Sequence, residues 1–540
     1  MILVHRANYL QAFHLSRGIL ALRLYSGGPR TQPRKKHKLS NKLKAKHKEQ
    51  TFFRYGNYEG LKKNSFATTA KATRLIDNIT SFEELKLLPV VRDAVKSVIE
   101  SESLLMQRTG NGVSNITPSP IQILAIKRLS HTLMDQKQHV FAIAADTGSG
   151  KTMAYLAPLL DFLIRQKIEK PEIWSSSIRS KAGIRSIILV PTHELIEQVY
   201  STVLKVEENL SLHTFKWDIH TKYSEVLDAI KDRIDMLVTT PSKLLTLFKI
   251  RMITHPESFL SMVQYVAVDE ADTLMDHSWI AETRQVINRC PNLSHLIFCS
   301  ATIPNEFNKT LSKLYPSFTP IVTPRLHKLP KKLDFKIVDS TLNPFKGSKI
   351  KTLAQILYAV AHSETEPGLE KRTIVFVNKK SDVEKIVQVL KSEYGHEHVF
   401  GLTGSDTVEK RLETIRDFLQ PPKRLEELPA SVANESTEFQ EPLHIPESNI
   451  TLTKHERAKG NKPFIKVLVT TDLLARGLNF QAVKNVILYD VPSTPVDLVH
   501  RVGRTARMRQ NGRIFMITDK STKSWARALP KIAKKSITLS

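Results

Sequence analysis

The residues best placed to do chemistry in this chain are Asp269-Glu270-Ala271-Asp272, which follow the apolar run Tyr265-Val266-Ala267-Val268. An apolar strand ending in adjacent carboxylates suits hydrolysis of a Mg²⁺-bound nucleotide: Asp269 can hold the metal through its waters, and Glu270 can polarise the attacking water. Acids after a strand are also what an ordinary solvated strand end looks like. A second segment separates the two readings. Val140-Phe141-Ala142-Ile143-Ala144 reads as a buried parallel strand, and Ala145-Asp146-Thr147-Gly148-Ser149-Gly150-Lys151-Thr152 turns from it into a helix beginning near Met153. The glycines let backbone N–H groups close round phosphate oxygens and the helix start adds positive potential. Lys151 can reach the terminal phosphates, and the Thr152 hydroxyl can ligate Mg²⁺. Ala145 stands where the strict phosphate-loop pattern has its first glycine. The two segments together predict a site that hydrolyses ATP with Mg²⁺.

Both segments need a parallel sheet behind them, and the chain supplies two. From about Ser81 to Pro330, apolar strands such as Ser186-Ile187-Ile188-Leu189-Val190, Met236-Leu237-Val238 and Leu296-Ile297-Phe298-Cys299 alternate with helical stretches, the pattern of an α/β parallel sheet. A second series carries Arg372-Thr373-Ile374-Val375-Phe376-Val377, Phe464-Ile465-Lys466-Val467-Leu468-Val469, Asn485-Val486-Ile487-Leu488-Tyr489 and Arg513-Ile514-Phe515-Met516-Ile517, without a second phosphate loop. The expected layout is a first domain over 81–326, a linker over 327–346 and a second domain over 347–540. A Pro-, Glu-, Ser- and Asn-rich stretch over 421–462 reads as an inserted, disordered loop.

With 540 residues, 41% of them hydrophobic, the chain can build two substantial cores. A net charge of +27 favours an anionic polymer as partner. The two cysteines, Cys290 and Cys299, lack metal-ligand spacing and imply no disulfide framework, which fits a reducing compartment. No acid precedes Glu49, and residues 1–25 mix apolar residues with Arg6, Arg17 and Arg23, so they resemble a mitochondrial matrix presequence with cleavage after Tyr25. The same arginines break any membrane span. The alternative address is nuclear or nucleolar, through Arg34-Lys35-Lys36-His37-Lys38 and the lysines that follow. Residues 26–80 read as a basic, largely disordered arm able to hold RNA phosphates without sequence preference.

Beyond these readings, the ordered set of motifs over residues 80–520 resembles the DEAD-box ATP-dependent RNA helicases. The resemblance implies two tandem RecA-like domains, the superfamily 2 helicase core, in a monomer that binds RNA and ATP cooperatively and remodels RNA duplexes locally. Within Thr117-Pro118-Ser119-Pro120-Ile121-Gln122, it assigns reading of the adenine to Gln122, with Phe82 either its upstream aromatic or ordinary core. Coupling falls to Asp272, Ser300, Thr302 and His500. In His500-Arg501-Val502-Gly503-Arg504-Thr505-Ala506-Arg507, Arg504 and Arg507 are the candidates that reach the γ-phosphate from the second domain. Asn479 stands where the family has an acid against the ribose. RNA would meet Pro191, Thr192, His193, Thr240, Pro241, Lys243, Arg411 and Thr471. His193 replaces the family's Arg, Ser242 and Lys243 replace Gly and Arg, and the usual glycine pair between them is missing. Retained hydrolysis residues beside altered RNA contacts are most similar to the fungal mitochondrial branch associated with assembly of the large mitoribosomal subunit. That resemblance implies mitochondrial ribosomal RNA and assembly intermediates as partners. The alternative reading is an ATP-gated RNA clamp or scaffold without productive unwinding.

Overall fold

Each apolar series folds as a parallel sheet. The computed structural model describes residues 66–102, 116–174, 183–250, 255–425, 443–444, 451–452, 464–535 and 539, apart from positions 331, 364, 367, 421, 473–477, 479, 481–482, 507–510 and 523–524. In the first sheet the strands are β1 (His139–Ala144), β2 (Ile184–Leu189), β3 (Thr214–Trp217), β4 (Ile234–Thr239), β5 (Tyr265–Val268), β6 (His295–Ser300) and β7 (Thr319–Val322). They lie in the order β3-β4-β2-β5-β6-β1-β7, every pairing parallel. In the second sheet the strands are β8 (Leu333–Asp339), β9 (Lys371–Phe376), β10 (Val399–Leu402), β13 (Ile465–Thr470), β14 (Asn485–Leu488) and β15 (Gly512–Thr518). Their order is β10-β13-β9-β14-β15-β8, again parallel throughout. Between β10 and β13, β11 (Leu443–His444) and β12 (Thr451–Leu452) pair antiparallel.

Helices on both faces bury the sheets, which is why β2, β4, β6, β9 and β13 are buried along their whole length. The helix that follows the phosphate loop, Lys151–Glu169, is buried from Met153 to Ile164. It carries the fully buried Asp161, whose Oδ1 accepts from Leu88 N (2.7 Å) and whose Oδ2 accepts from Arg165 Nε (2.8 Å). That carboxylate thereby ties the start of helix Pro89–Glu102 to the centre of the first domain.

Strand order decides what the loops can do. β5, β6 and β1 are neighbours, with Val268 beside Phe298 and Ala144 beside Ser300. The segments leaving their carboxyl ends therefore lie side by side, although they start at residues 145, 269 and 301. The segments after β2 and β4 leave the other half of the same edge.

Two boundaries differ from expectation. The stretch 327–346 is not only linker: Leu333–Asp339 is an edge strand of the second sheet, half-buried against β15, so the second domain begins by residue 333. Its mixture of Lys, Asp and apolar residues suits an edge and hides it from a search for apolar runs. The arm over 26–80 ends in helix Phe66–Asn78, with Ala72 and Ile79 in the core, so ordered structure begins before residue 81. Phe82 is fully buried in a short 3-10 helix capped by Ser81. The expectations for residues 1–25, for the rest of the arm, and for most of 421–462 fall outside the described residues. No described helix is long and apolar enough to cross a membrane.

Candidate functional site

The phosphate loop is built around two residues in the left-handed region, Gly148 (φ 70°) and Gly150 (φ 86°). Gly150 is required twice over. A Cβ there would sit 2.6 Å from Gln122 Nε2, and its φ is one that side-chain-bearing residues rarely adopt. Gln122 is held over the loop by the start of helix Pro120–Leu129: Ser119 N donates to Gln122 Oε1 (2.8 Å), and Gln122 Nε2 reaches Gly150 O at 3.4 Å. Lys151 Nζ donates to Ala145 O and Asp146 O, both at 3.1 Å, bonds that an ammonium can exchange for phosphate oxygens. Ser149 Oγ is buried and has no partner among the described residues. Burial pushes the Asp146 carboxyl up to about 6, against the pull of Lys151 and Arg325.

At the end of β5, Asp269 Oδ2 accepts from Tyr155 OH (3.0 Å) and Oδ1 from Glu270 N (2.9 Å). Tyr155 comes from the helix after the phosphate loop, so the two segments read from sequence are joined directly. Burial, then the neighbouring Glu270, pushes the Asp269 carboxyl up to about 6. Glu270 sits at φ 48° and is buried, with Oε2 unpartnered among the described residues. A left-handed, non-glycine backbone at a buried carboxylate is the kind of strain that concentrates at reacting groups. Thr152 is half-buried beside the loop.

Asp272, the last acid of the four, faces both neighbours. Its Oδ2 accepts from Thr302 Oγ1 (2.7 Å), on the segment after β6, and lies 2.9 Å from His500 Nε2, on helix Pro495–Val502 of the second domain. Thr302 N donates to Ser300 Oγ (3.1 Å). A second cross-cleft bond runs from Thr147 Oγ1 to Gly503 O (3.0 Å), and there a Cβ on residue 503 would meet the Thr147 hydroxyl at 1.7 Å. Asp272, Ser300, Thr302 and His500, expected together, thus form one buried cluster spanning both domains. Arg504 is buried near them, with Nε on His500 O (3.0 Å) and Nη1 on Leu478 O (2.6 Å). Arg507 and Asn479 lie outside the described residues.

On the other half of the edge, the RNA-facing candidates sit at helix starts. Thr192 caps helix His193–Leu210, Thr240 caps helix Pro241–Leu245, and Thr407 caps helix Val408–Leu419. Pro191 is buried, Pro241 opens its helix, and Lys243 lies over the Tyr223 ring at 5.9 Å. Burial pushes the His193 imidazole toward its neutral form. Arg411 Nε forms an ion pair at 2.9 Å with Glu194 of the first domain. Thr471 is buried at the end of β13.

Sequence reasoning missed three participants. Tyr155 lies one helical turn past the loop, where nothing in the linear order marks it. Arg501 holds Asp472 at 2.6 and 2.7 Å, Asn378 Oδ1 at 2.7 Å and Asp490 O at 3.0 Å, fastening the ends of β9, β13 and β14 together. Its signal was available, since it lies within the quoted arginine segment. Glu194, the residue after His193, had none.

Comparisons with known proteins agree with this geometry. A family model described as DEAD/DEAH box helicase matches residues 119–310, and one described as helicase conserved C-terminal domain matches residues 430–509. The chain is 54% identical over 539 residues to the mitochondrial ATP-dependent RNA helicase MRH4 of Saccharomyces cerevisiae, covering 96% of each chain. It is 46% identical to the protein of that name from Kluyveromyces lactis, covering 90% of this chain and 85% of that one. Among solved structures, its fold is similar to Mss116p bound to single-stranded RNA and AMP-PNP (TM-score 0.59, 19% identity, 85% of this chain and 78% of that one). It is also similar to S. cerevisiae Dbp5 bound to RNA and ADP-BeF3 (TM-score 0.56, 20% identity, 85% and 93%).

Proposed function

The chain belongs to the DEAD-box helicase family, and from that premise we propose that it is a mitochondrial ATP-dependent RNA helicase whose ATP hydrolysis is gated by closure of its two domains on RNA. The observation that carries the gating is the single carboxylate oxygen of Asp272 shared by Thr302 and His500. One acid next to the hydrolysis residues is in contact with both halves of the molecule, so the site is complete only when the halves meet.

The residues fit a nucleotide and its metal. Glycines leave room against the loop, and among the described residues Ser149 Oγ and Glu270 Oε2 are buried without partners and Lys151 bonds only to exchangeable carbonyls. Thr152 and Asp269 would hold Mg²⁺, which supplies charge neutralisation on the phosphates. Gln122 faces the base, Lys151 the terminal phosphates, and Glu270 accepts the proton of the attacking water. Arg504 and Arg507 stabilise the charge that develops on the transferred phosphoryl group, which for Arg504 means giving up its carbonyl partners. Because ATP and RNA both favour the closed arrangement, each strengthens binding of the other.

RNA enters across the helix starts after β2, β4 and β10, with Thr192, His193, Lys243, Arg411 and Thr471 along its path. The similarity to mitochondrial relatives supports the compartment and the basic composition an RNA partner; that the RNA is mitochondrial ribosomal RNA during large-subunit assembly is proposed from the altered RNA-facing residues beside the retained hydrolysis residues. One observation favours the clamp as second reading: Arg411, a phosphate-binding candidate, is already paired with Glu194 and so bridges the domains itself. Steady-state ATPase with structured RNA, matched DNA and no nucleic acid tests the main reading. Stimulation by RNA alone supports it, and DNA stimulation of equal size overturns it. Duplex release under the same conditions separates helicase from clamp.

A further inference from the structure

The segment joining the domains holds a buried histidine that no motif accounts for. His327 follows β7, is fully buried, and has a left-handed backbone (φ 64°). Its Nε2 accepts a hydrogen bond from Ile303 N at 3.0 Å. Ile303 is the residue immediately after Thr302, which in turn holds Asp272. The acceptor role places the ring proton on Nδ1, and burial keeps the imidazole neutral by pushing it down to about 3. On its other side, the His327 carbonyl accepts from Leu539 N at 3.0 Å, and the Leu539 side chain is buried in the large hydrophobic cluster. Leu326, just before it, is buried in the second cluster of the first domain.

We propose that His327 is a positioning residue that fixes the peptide following Thr302 to the interdomain segment, so that the setting of that segment and of Leu539 controls whether Thr302 can hold Asp272 toward His500. A buried N–H costs about 1–3 kcal/mol if left unpaired, so Ile303 stays with its acceptor wherever that acceptor goes. The chain leaves β6 at Ser300, makes the Thr302–Asp272 bond two residues later and the Ile303–His327 bond one residue after that. There is no slack between them. A side chain chosen only to fill space would not be polar, and a free linker residue would not need a left-handed backbone. His327 hydrogen-bonds to Ile303 and Leu539, neither of them assigned to nucleotide or metal, and acts through the Thr302 segment.

This inference rests on the reading of Asp272, Thr302 and His500 as the coupling cluster. The test compares wild type, His327→Phe, which keeps a ring but has no acceptor, and His327→Gln, whose amide oxygen can replace Nε2. RNA-stimulated kcat, KM for ATP, ATPase without RNA and duplex release per ATP are measured for each on the full chain. His327→Phe is expected to lower RNA-stimulated kcat about tenfold and duplex release per ATP with it. KM for ATP and RNA-free turnover should stay within about twofold, and His327→Gln should recover most of the loss. Leu539→Pro, which removes the N–H bonded to the His327 carbonyl, is expected to give a smaller loss in the same direction, and it carries the test if His327→Phe does not fold. Unchanged coupling in His327→Phe overturns the proposal; so does equal loss in Phe and Gln variants with a raised KM, which marks general damage to the site. If the Phe variant is insoluble, unchanged coupling in Leu539→Pro overturns it. Wild type that RNA does not stimulate at all would instead overturn the reading of the coupling cluster.

Discussion

Two halves of one sheet edge, assigned to different ligands in the proposed function, are built differently. Beyond β5, β6 and β1, the functional atoms are buried side-chain groups fixed by one another: Tyr155 on Asp269, Thr302 and His500 on Asp272, Gln122 over Gly150. Beyond β2 and β4, and at β10 in the second domain, the recurring device is a threonine-capped helix start. The difference teaches why the two sets of motifs tolerate change differently. Stabilising a transition-state charge needs particular atoms in a dry, preorganised site. A phosphate backbone can be met by backbone N–H groups at helix starts and by any nearby cation. On the proposed assignment, His193 and Lys243 in place of Arg should trim RNA affinity without removing the surface, whereas the nucleotide half has no such spare.

The comparison breaks first at Glu270. Its replacement by Gln keeps shape and backbone, so RNA-stimulated turnover should fall by about 10²–10⁴-fold while ATP and RNA still bind; full turnover in a steady-state assay would remove Glu270 from its role. Next in size is Gly503→Ala. The backbone there is ordinary (φ −66°), but the new methyl would collide with Thr147 across the cleft. RNA-stimulated turnover should drop on the order of 10- to 100-fold, with the thermal midpoint unchanged, because the clash exists only when the domains meet. A variant that turns over normally would mean the contact is dispensable.

Acidity sharpens the same contrast. The folded chain holds the Asp269 proton up to about pH 6, whereas an unfolded one releases it near about 4. Ionising Asp269 therefore costs stability as pH rises through that window, and the cost is fully present above it. Asp269→Asn should raise the nucleotide-free unfolding midpoint at pH 7.5 and leave it nearly unchanged at pH 4, while abolishing ATP turnover. Equal midpoints at both values would contradict the burial argument.

The RNA half should answer more gently. Thr192→Ala removes a helix cap and is expected to lower unfolding free energy by about 1 kcal/mol, with a few-fold loss of RNA affinity in a binding titration. His193→Arg should have the smallest effect. Affinity for single-stranded RNA rises a few-fold, and the slope of log affinity against log salt steepens by about 0.7, the single-strand value for one added phosphate contact. ATP KM does not move. A change of 100-fold in either variant would mean the RNA half is as finely specified as the nucleotide half.

The chemistry was legible in the linear order of residues because each motif is short and contiguous. A phosphate loop, an acidic strand end and an arginine segment carry their spacing within themselves, and buried parallel strands announce themselves as apolar runs. The half-buried edge strand Leu333–Asp339 and the helix Phe66–Asn78 escaped because their patterns are mixed, with only one side against the core. No local pattern could show that Asp272 meets His500, that Thr147 meets Gly503, or that Ile303 meets His327. Those contacts join residues far apart in the chain. They exist because strand order sets which loops emerge side by side, and because the packing of two domains sets which buried polar groups find their partners. The sequence by itself thus determined which groups could react. The tertiary structure alone decided which of them touch, since a buried N–H or carboxylate is satisfied by whatever the fold brings within about 3 Å of it.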